Sequence, residues 1–312
     1  MPNADLPIHG AQQPRLVSGN GVQIREDVLY TNAKGEPEDR SRKRAEDALA
    51  SLRDILPSLL EPNEAVLYVI KNCQAPLGTL EQLFLGWYVY RVTATRLVFT
   101  NLRLLHFGMG TGGKWNRTLK SVRWGDVTES KVKGWINRLL ELRYANGTKE
   151  RYWRLPRKDG KKAQAILDAV LPPSRGETTA AQGFQSICPD CRAALTPGNY
   201  QCGVCGLKFK DEKTLRWRTI LIPGGGYLYA GMTLLGVLAF LSEGAFTLGT
   251  IFSVLMALGL IAPETAENGQ VMQRADLWGA ALILFFILAL NKALEYIHGR
   301  RVIRSYIPLK KL

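Results

Sequence analysis

Four of the chain's five cysteines form two Cys-x-x-Cys pairs, Cys188/Cys191 and Cys202/Cys205, with ten residues between the pairs. One such turn brings two sulfurs within reach of a single metal ion, and the second turn completes a tetrahedral set. Four thiolates with no histidine nearby close the coordination shell. A catalytic zinc keeps one position open for water, so the chemistry expected of Cys188, Cys191, Cys202 and Cys205 is structural, with Zn²⁺ as the cofactor. Iron shares tetrahedral sulfur sites, which leaves a redox centre as the alternative. Disulfides are disfavoured. The first thirty residues contain no secretory leader, so the N-terminal part is expected in the cytoplasm, where thiols stay reduced. Gly203 and Gly206 are read as giving the second knuckle room for positive φ. Cys73 stands alone and is read as a small buried apolar side chain.

Other chemistry is scarce. His9, His106 and His298 lie far apart in sequence. There is no Gly-x-Ser-x-Gly, no phosphate-cradling Gly-x-x-x-x-Gly-Lys followed by Ser or Thr, and no histidine-containing metal pair. The insert GMGTGGKWN at 108–116 lacks the strand-to-helix context of a phosphate loop. No catalytic residue is expected, and the protein is not read as an enzyme.

The net charge of +14 is unevenly spread. From Arg103 to Lys162, sixteen Lys and Arg stand against five Asp and Glu, a local +11, whereas Glu243 is the only charged residue between Thr219 and Ala262. Such a basic excess beside apolar runs suits anionic lipid headgroups first. A protein partner is the other candidate, and nucleic acid follows. Lys114, Arg117, Lys120 and Arg123 are the expected contact edge. The residues between the two cysteine pairs carry a single arginine, Arg192, a poor phosphate track.

The elements that must position these groups read as several domains. Residues 1–37 lack any period and read as a disordered tail. Residues 38–60 carry Ala45, Leu49, Leu52, Ile55, Leu56 and Leu59 near helical spacing, an amphipathic helix bounded by Pro57 and Pro62. Residues 61–171 alternate short runs rich in Val, Leu, Tyr, Phe and Thr with turn residues. The runs are AVLYVIKN, LFLGWYVYRVT, TRLVFT, RLLHFG, KWNRTLKSVRW, INRLLELRYANGT and KERYWRL, with Asn146-Gly147 as the clearest hairpin turn. KDGKKAQAILDAVLP closes them with a helix that presents Ala163, Ile166, Leu167, Val170 and Leu171 on one face. A barrel-like sheet capped by a C-terminal helix is expected. Residues 172–187 read as a linker and 188–210 as the metal knot. Residues 219–298 form a membrane domain with apolar segments 219–241, 245–262 and 277–291, and 299–312 a basic tail. Ser242-Glu243-Gly244 is expected to be a tight hairpin, and Lys292 to snorkel. No charged residue is expected mid-span, which counts against a transporter or proton path. Basic residues flank both ends of the membrane domain, which calls for an even number of crossings, whereas three apolar runs give an odd number. IPGGGYLYAG is the expected place for a broken helix.

Three stretches carry resemblances. VTATRLVFTNLRLLHFG, with Thr100-Asn101-Leu102-Arg103 at a strand-to-strand turn and the Trp124-x-Asp126 step, resembles the bacterial pleckstrin-homology-like domains over roughly Leu60 to Leu171. CPDCRAALTPGNYQCGVC resembles a four-cysteine zinc ribbon. PGGGYLYAGMTLLG resembles the opening of small bacterial membrane modules that often follow zinc ribbons, with Gly226, Gly231 and Gly236 available for close helix packing. Together these imply an integral protein of a bacterial inner membrane with its N-terminal domains cytoplasmic. The local basic excess and the scarcity of catalytic motifs make a non-enzymatic membrane-anchored adaptor that binds lipid headgroups or a protein the expected function. A membrane-tethered nucleic-acid binder and an iron-containing redox protein are the alternatives.

Overall fold

The computed structural model describes residues 16–19, 21–75, 93–110, 113–135, 137–171, 174, 176–262 and 273–309. The chain forms two compact units that divide between Leu207 and Lys208.

The first unit is built on a mostly antiparallel sheet of ten strands: β1 (Leu16–Gly19), β2 (Val22–Arg25), β3 (Ala65–Gln74), β4 (Ala94–Thr100), β5 (Arg103–Met109), β6 (Trp115–Arg123), β7 (Val127–Lys133), β8 (Asn137–Tyr144), β9 (Lys149–Pro156) and β10 (Gln185–Ile187). The main path runs β10-β6-β5-β4-β3-β9-β8-β7, with β2 lying parallel against β3 and β1 against β2. Among the described residues β6 and β7 do not pair, so the expected barrel is an open sheet. The expected strand LFLGWYVYRVT lies outside the described residues, apart from its last residue, Thr93.

Residues 16–36, expected as part of an aperiodic tail, carry β1, β2 and a short helix α1 (Glu26–Leu29). Here four-residue elements too short to show a period are fixed by burial: Val28 and Leu29 are almost fully enclosed. The expected helix over 38–60 is also interrupted. α2 (Asp39–Ala50) gives way to tight turns, Leu52 N–H to Leu49 O and Ile55 N–H to Leu52 O, before α3 (Leu56–Leu59). Pro57 cannot donate to a preceding carbonyl, and its ring excludes a continuous helix. Ala45, Leu52, Leu56 and Leu59 still reach the core, as their spacing predicts. α4 (Arg157–Val170) follows β9 and buries Ala163, Ile166, Leu167 and Val170, the expected face.

The Thr-Asn-x-Arg phrase closes the β4–β5 turn by hydrogen bonding. Thr100 Oγ1 accepts from the N–H of Leu102 and Arg103 at 3.2 and 3.0 Å and donates to Glu64 Oε1 at 2.8 Å. Asn101 Oδ1 accepts from Ala65 N–H at 2.8 Å. The Arg103 guanidinium grips buried Glu64 through Nε and a terminal nitrogen, 2.9 and 2.8 Å, and also donates to Leu59 O. Trp124 is buried and donates to Thr100 O at 2.9 Å. Residues 172–187, expected as a free linker, are fastened to the sheet where they are described. Asp126 accepts from the N–H and hydroxyl of Thr179, both at 2.6 Å, and β10 pairs with β6.

The second unit is helical: α5 (Glu212–Leu221), α6 (Gly225–Ala230), α7 (Thr233–Ala257) and α8 (Arg274–Ile303). Two of these, α7 and α8, are long and apolar enough to cross a membrane. They expose large apolar side chains such as Leu241, Leu248, Leu282 and Phe286, a surface suited to lipid and poorly suited to water. The three expected segments therefore regroup. The first run breaks at Gly224 and Gly231, both left-handed, within IPGGGYLYAG as expected. Its remainder joins the second run in α7, and Ser242-Glu243-Gly244 is helix, not a hairpin. The chain's last described residues return to the start of this unit. Lys210 N–H donates to Ile307 O and Leu309 N–H to Lys208 O, both at 3.0 Å, and Arg300 and Arg304 share Glu212. The two basic flanks thus lie side by side, and the candidate membrane helices are two, an even number.

Candidate metal centre and buried charge sites

The two cysteine pairs are copies of one local structure. In the first, Cys188 N–H donates to Ala193 O at 2.9 Å and Arg192 N–H to Cys188 O at 3.0 Å; in the second, Cys202 N–H donates to Leu207 O and Gly206 N–H to Cys202 O at the same two distances. Each turn needs a left-handed residue four places after its first cysteine. Gly206 supplies it at φ +73°, as expected, but the first turn uses Arg192 at φ +65°, and Gly203 has no positive φ. The four sulfurs lie within 4.8 Å of one another, with Cys188 to Cys205 at 3.6 Å and Cys191 to Cys202 at 3.4 Å. A disulfide would need about 2.05 Å. Tetrahedral Zn–S bonds of about 2.3 Å would place sulfurs about 3.8 Å apart. The donor set therefore fits a tetrahedral metal ion, and the four cysteines could hold one.

Backbone donors are aimed at the sulfurs. Burial pushes the Cys188 thiol up to about 12, against hydrogen bonds from the N–H of Cys191 and Asp190. At Cys202 burial also raises the value, but the N–H groups of Cys205 and Val204 and the neighbouring thiols outweigh it and bring it down to about 7. The knuckle is joined to the sheet through β10, through the Ile187–Ala194 bridge and through an ion pair of Asp190 with Arg117.

That ion pair bears on the expected contact edge. Arg117 is engaged by Asp190 and Arg123 by Glu61 at 2.5 Å, and Lys120 is half-buried opposite His106. Of the four residues, Lys114 is exposed and the other three are half-buried. The exposed cations concentrate instead on the β7–β8–β9 meander and the start of α4: Lys131, Lys133, Arg143, Lys149, Arg157 and Lys161.

His106 is buried, 3.2 Å from Thr95 Oγ1 and 3.3 Å from the Tyr152 hydroxyl. Burial lowers it to about 3, so the ring is neutral. Its neighbours are aromatic rings of Tyr152 and Phe184, which makes it a core histidine. His298 meets the Tyr227 hydroxyl at 2.9 Å, and His9 lies outside the described residues. Cys73 is buried, donates its S–H to Thr95 O and has its thiol pushed far up by burial. The bland expectation for it stands.

The second unit holds a charge site that the sequence reading missed. Glu243 sits in the middle of α7, almost fully buried, 2.7 Å from the Lys292 ammonium. Lys292 turns inward; it does not snorkel. It also donates to Ile222 O at 3.0 Å and lies 3.7 Å from Glu295. The carboxylates meet the backbone where the first apolar run breaks. Glu243 accepts from Gly224 N–H at 2.9 Å, and Glu295 from Gly226 and Tyr227 N–H at 2.7 and 3.1 Å. Orphan donors at the start of α6 are thereby satisfied. A Cβ on Gly226 would lie 2.2 Å from Thr219 Oγ1 and 3.0 Å from Glu295 Cγ, so only glycine lets α6 approach this closely. Gly236 likewise admits Leu228, whereas Gly231 serves as a left-handed helix end. The signal for this site was present in the isolated Glu243 and in Lys292/Glu295 one turn apart. It was hidden by reading Glu243 as a loop residue.

No family model matches the chain, and no curated protein matches it.

Proposed function

We propose that the protein is a non-enzymatic membrane-anchored adaptor. Its sheet unit, a pleckstrin-homology-like domain in this reading, binds anionic lipid headgroups at the membrane to which α7 and α8 anchor the chain. The carrying observation is the local +11 from Arg103 to Lys162, whose exposed members gather on β7, β8, β9 and the start of α4. Each such side chain near an anionic leaflet contributes about 1 kcal/mol. Zn²⁺ in the four-cysteine site holds the knuckle as a structural extension of the sheet. Two crossings by α7 and α8 keep both basic flanks on the cytoplasmic face of a bacterial inner membrane, in line with the positive-inside tendency.

The test uses the full chain in nanodiscs of phosphatidylcholine alone or mixed with phosphatidylglycerol. Amide exchange across 127–162 should slow in the anionic discs and recover in high salt. Equal exchange in both lipids would reject the lipid reading and leave a protein partner as the ligand.

A further inference from the structure

The most exposed aromatic side chain among the described residues is Trp135, 75% exposed at the β7–β8 turn. An indole in that position covers no core and has no ring partner among the described contacts. The turn is shaped for projection. Gly134 adopts φ +94°, and the pairing of β7 with β8 ends at Lys133–Leu139, which leaves Trp135 beyond the last pair of residues.

The surroundings are cationic. Lys131 and Lys133 lead into the turn with side chains 53% and 54% exposed. Their ion pairs, with Glu129 and Glu141, are surface pairs of the weak kind. The Asn137–Pro156 pairing brings the start of α4 to the same end of the sheet, with Arg157 and Lys161 exposed there. The acidic residue in that first turn, Asp159, is turned inward and accepts from the Tyr68 hydroxyl at 2.9 Å. Lys158 is held by Glu38 at 2.6 Å.

An exposed indole ringed by lysine and arginine matches the boundary of an anionic bilayer. The ring favours the headgroup level, where its apolar body meets acyl chains and its N–H stays wet, while the ammonium and guanidinium groups meet phosphates. A protein or nucleic acid could take the charge or the ring, but charge complementarity with a ring projecting from a hairpin tip fits a lipid surface best.

We propose that the β7–β8 hairpin is a membrane-insertion tip: Trp135 enters the headgroup layer of an anionic leaflet, and Lys131, Lys133, Arg157 and Lys161 bind its phosphates. This rests on the lipid-binding reading above and names its contact, which differs from the edge at Lys114, Arg117, Lys120 and Arg123.

The experiment reads Trp135 by difference. Full-length protein and its Trp135→Phe variant are reconstituted in vesicles containing phosphatidylglycerol and acyl-brominated phosphatidylcholine, and in neutral vesicles with the same brominated lipid. Subtracting the variant's emission leaves the Trp135 signal. It should be blue-shifted and largely quenched in the anionic vesicles, and water-like and unquenched in the neutral ones. A Lys131→Glu/Lys133→Glu variant, altered at exposed positions, should restore the water-like signal in the anionic vesicles. A Trp135 signal that is unquenched in anionic vesicles, or equally quenched in both, overturns the proposal. Exchange protection elsewhere in 127–162 with an unquenched Trp135 rejects the insertion tip alone. Loss of both responses rejects the lipid reading as well.

Discussion

The four-cysteine knuckle and the Glu243–Lys292–Glu295 cluster are both knots of polar groups taken out of water, yet they balance their charge in opposite ways. In the helical unit the protein supplies the balance itself. One ammonium lies between two carboxylates, and the N–H groups of Gly224, Gly226 and Tyr227 share the remaining negative charge. In the knuckle, four sulfurs within 4.8 Å have only backbone N–H donors around them. They cannot all be thiolates without a cation. The first knot carries its own counter-charge, although Glu243 Oε1 and Glu295 Oε2 have no hydrogen-bond partner among the described residues, and the second could take its counter-charge from a metal ion. An ionisable group in a candidate membrane helix is by default a functional candidate. Here one oxygen of each carboxylate, Glu243 Oε2 and Glu295 Oε1, caps the broken helix, which ties α6 to α7 and α8.

Removing metal should have the largest effect. Structural zinc sites in small peptides contribute apparent energies of about 10–16 kcal/mol. Chelation, or Cys202→Ser, should abolish exchange protection over 188–207 while α7 and α8 keep theirs; protection that survives complete metal loss would mean the knuckle folds unaided. Next comes Lys292→Met. It strands two buried carboxylates and should cost about 3–5 kcal/mol, read as a lowered melting temperature in detergent. Adding Glu243→Gln should recover part of that loss, and a double variant worse than the single would refute self-compensation. Arg103→Lys loses the paired contact to Glu64 Oε1 and Oε2 that only a guanidinium makes, at a cost of about 1–3 kcal/mol by denaturant unfolding. The smallest effect at neutral pH is at His106. Burial lowers its folded value to about 3 from the ordinary 6.5, so its contribution is whole above pH 6.5 and falls as pH drops toward 3. Its slope is at most about 1.4 kcal/mol per pH unit. His106→Gln should flatten the acid side of the stability profile, and an unchanged profile would show that the ring does not titrate on unfolding.

What could be read from sequence follows the same division between local and distant. The knuckle's four cysteines lie within one short stretch, and turn chemistry repeats in both halves, so spacing alone grouped them. Even there the left-handed role of Arg192 was hidden, because nothing but register with Gly206 announces it. The Thr-Asn-x-Arg turn and the buried face of α4 were legible for the same reason: each is fixed by neighbours in sequence. Open sheet topology was not, since strand periodicity says which residues alternate and nothing about whether β6 meets β7. Glu243 was misread because its partners lie at Gly224 and Lys292, and only a folded helix pair makes burial of that carboxylate affordable. The β1–β2 hairpin escaped because four-residue strands carry too little pattern. Trp135 gives no period at all; only its exposure marks it.

The proposed structural role of the four-cysteine site turns on which metal it holds. Elemental analysis of the full-length protein, purified without chelator, tests it most directly. One zinc per chain, with no iron and no visible absorption, is the result predicted. Stoichiometric iron with a thiolate charge-transfer band would contradict it and make the site a redox centre.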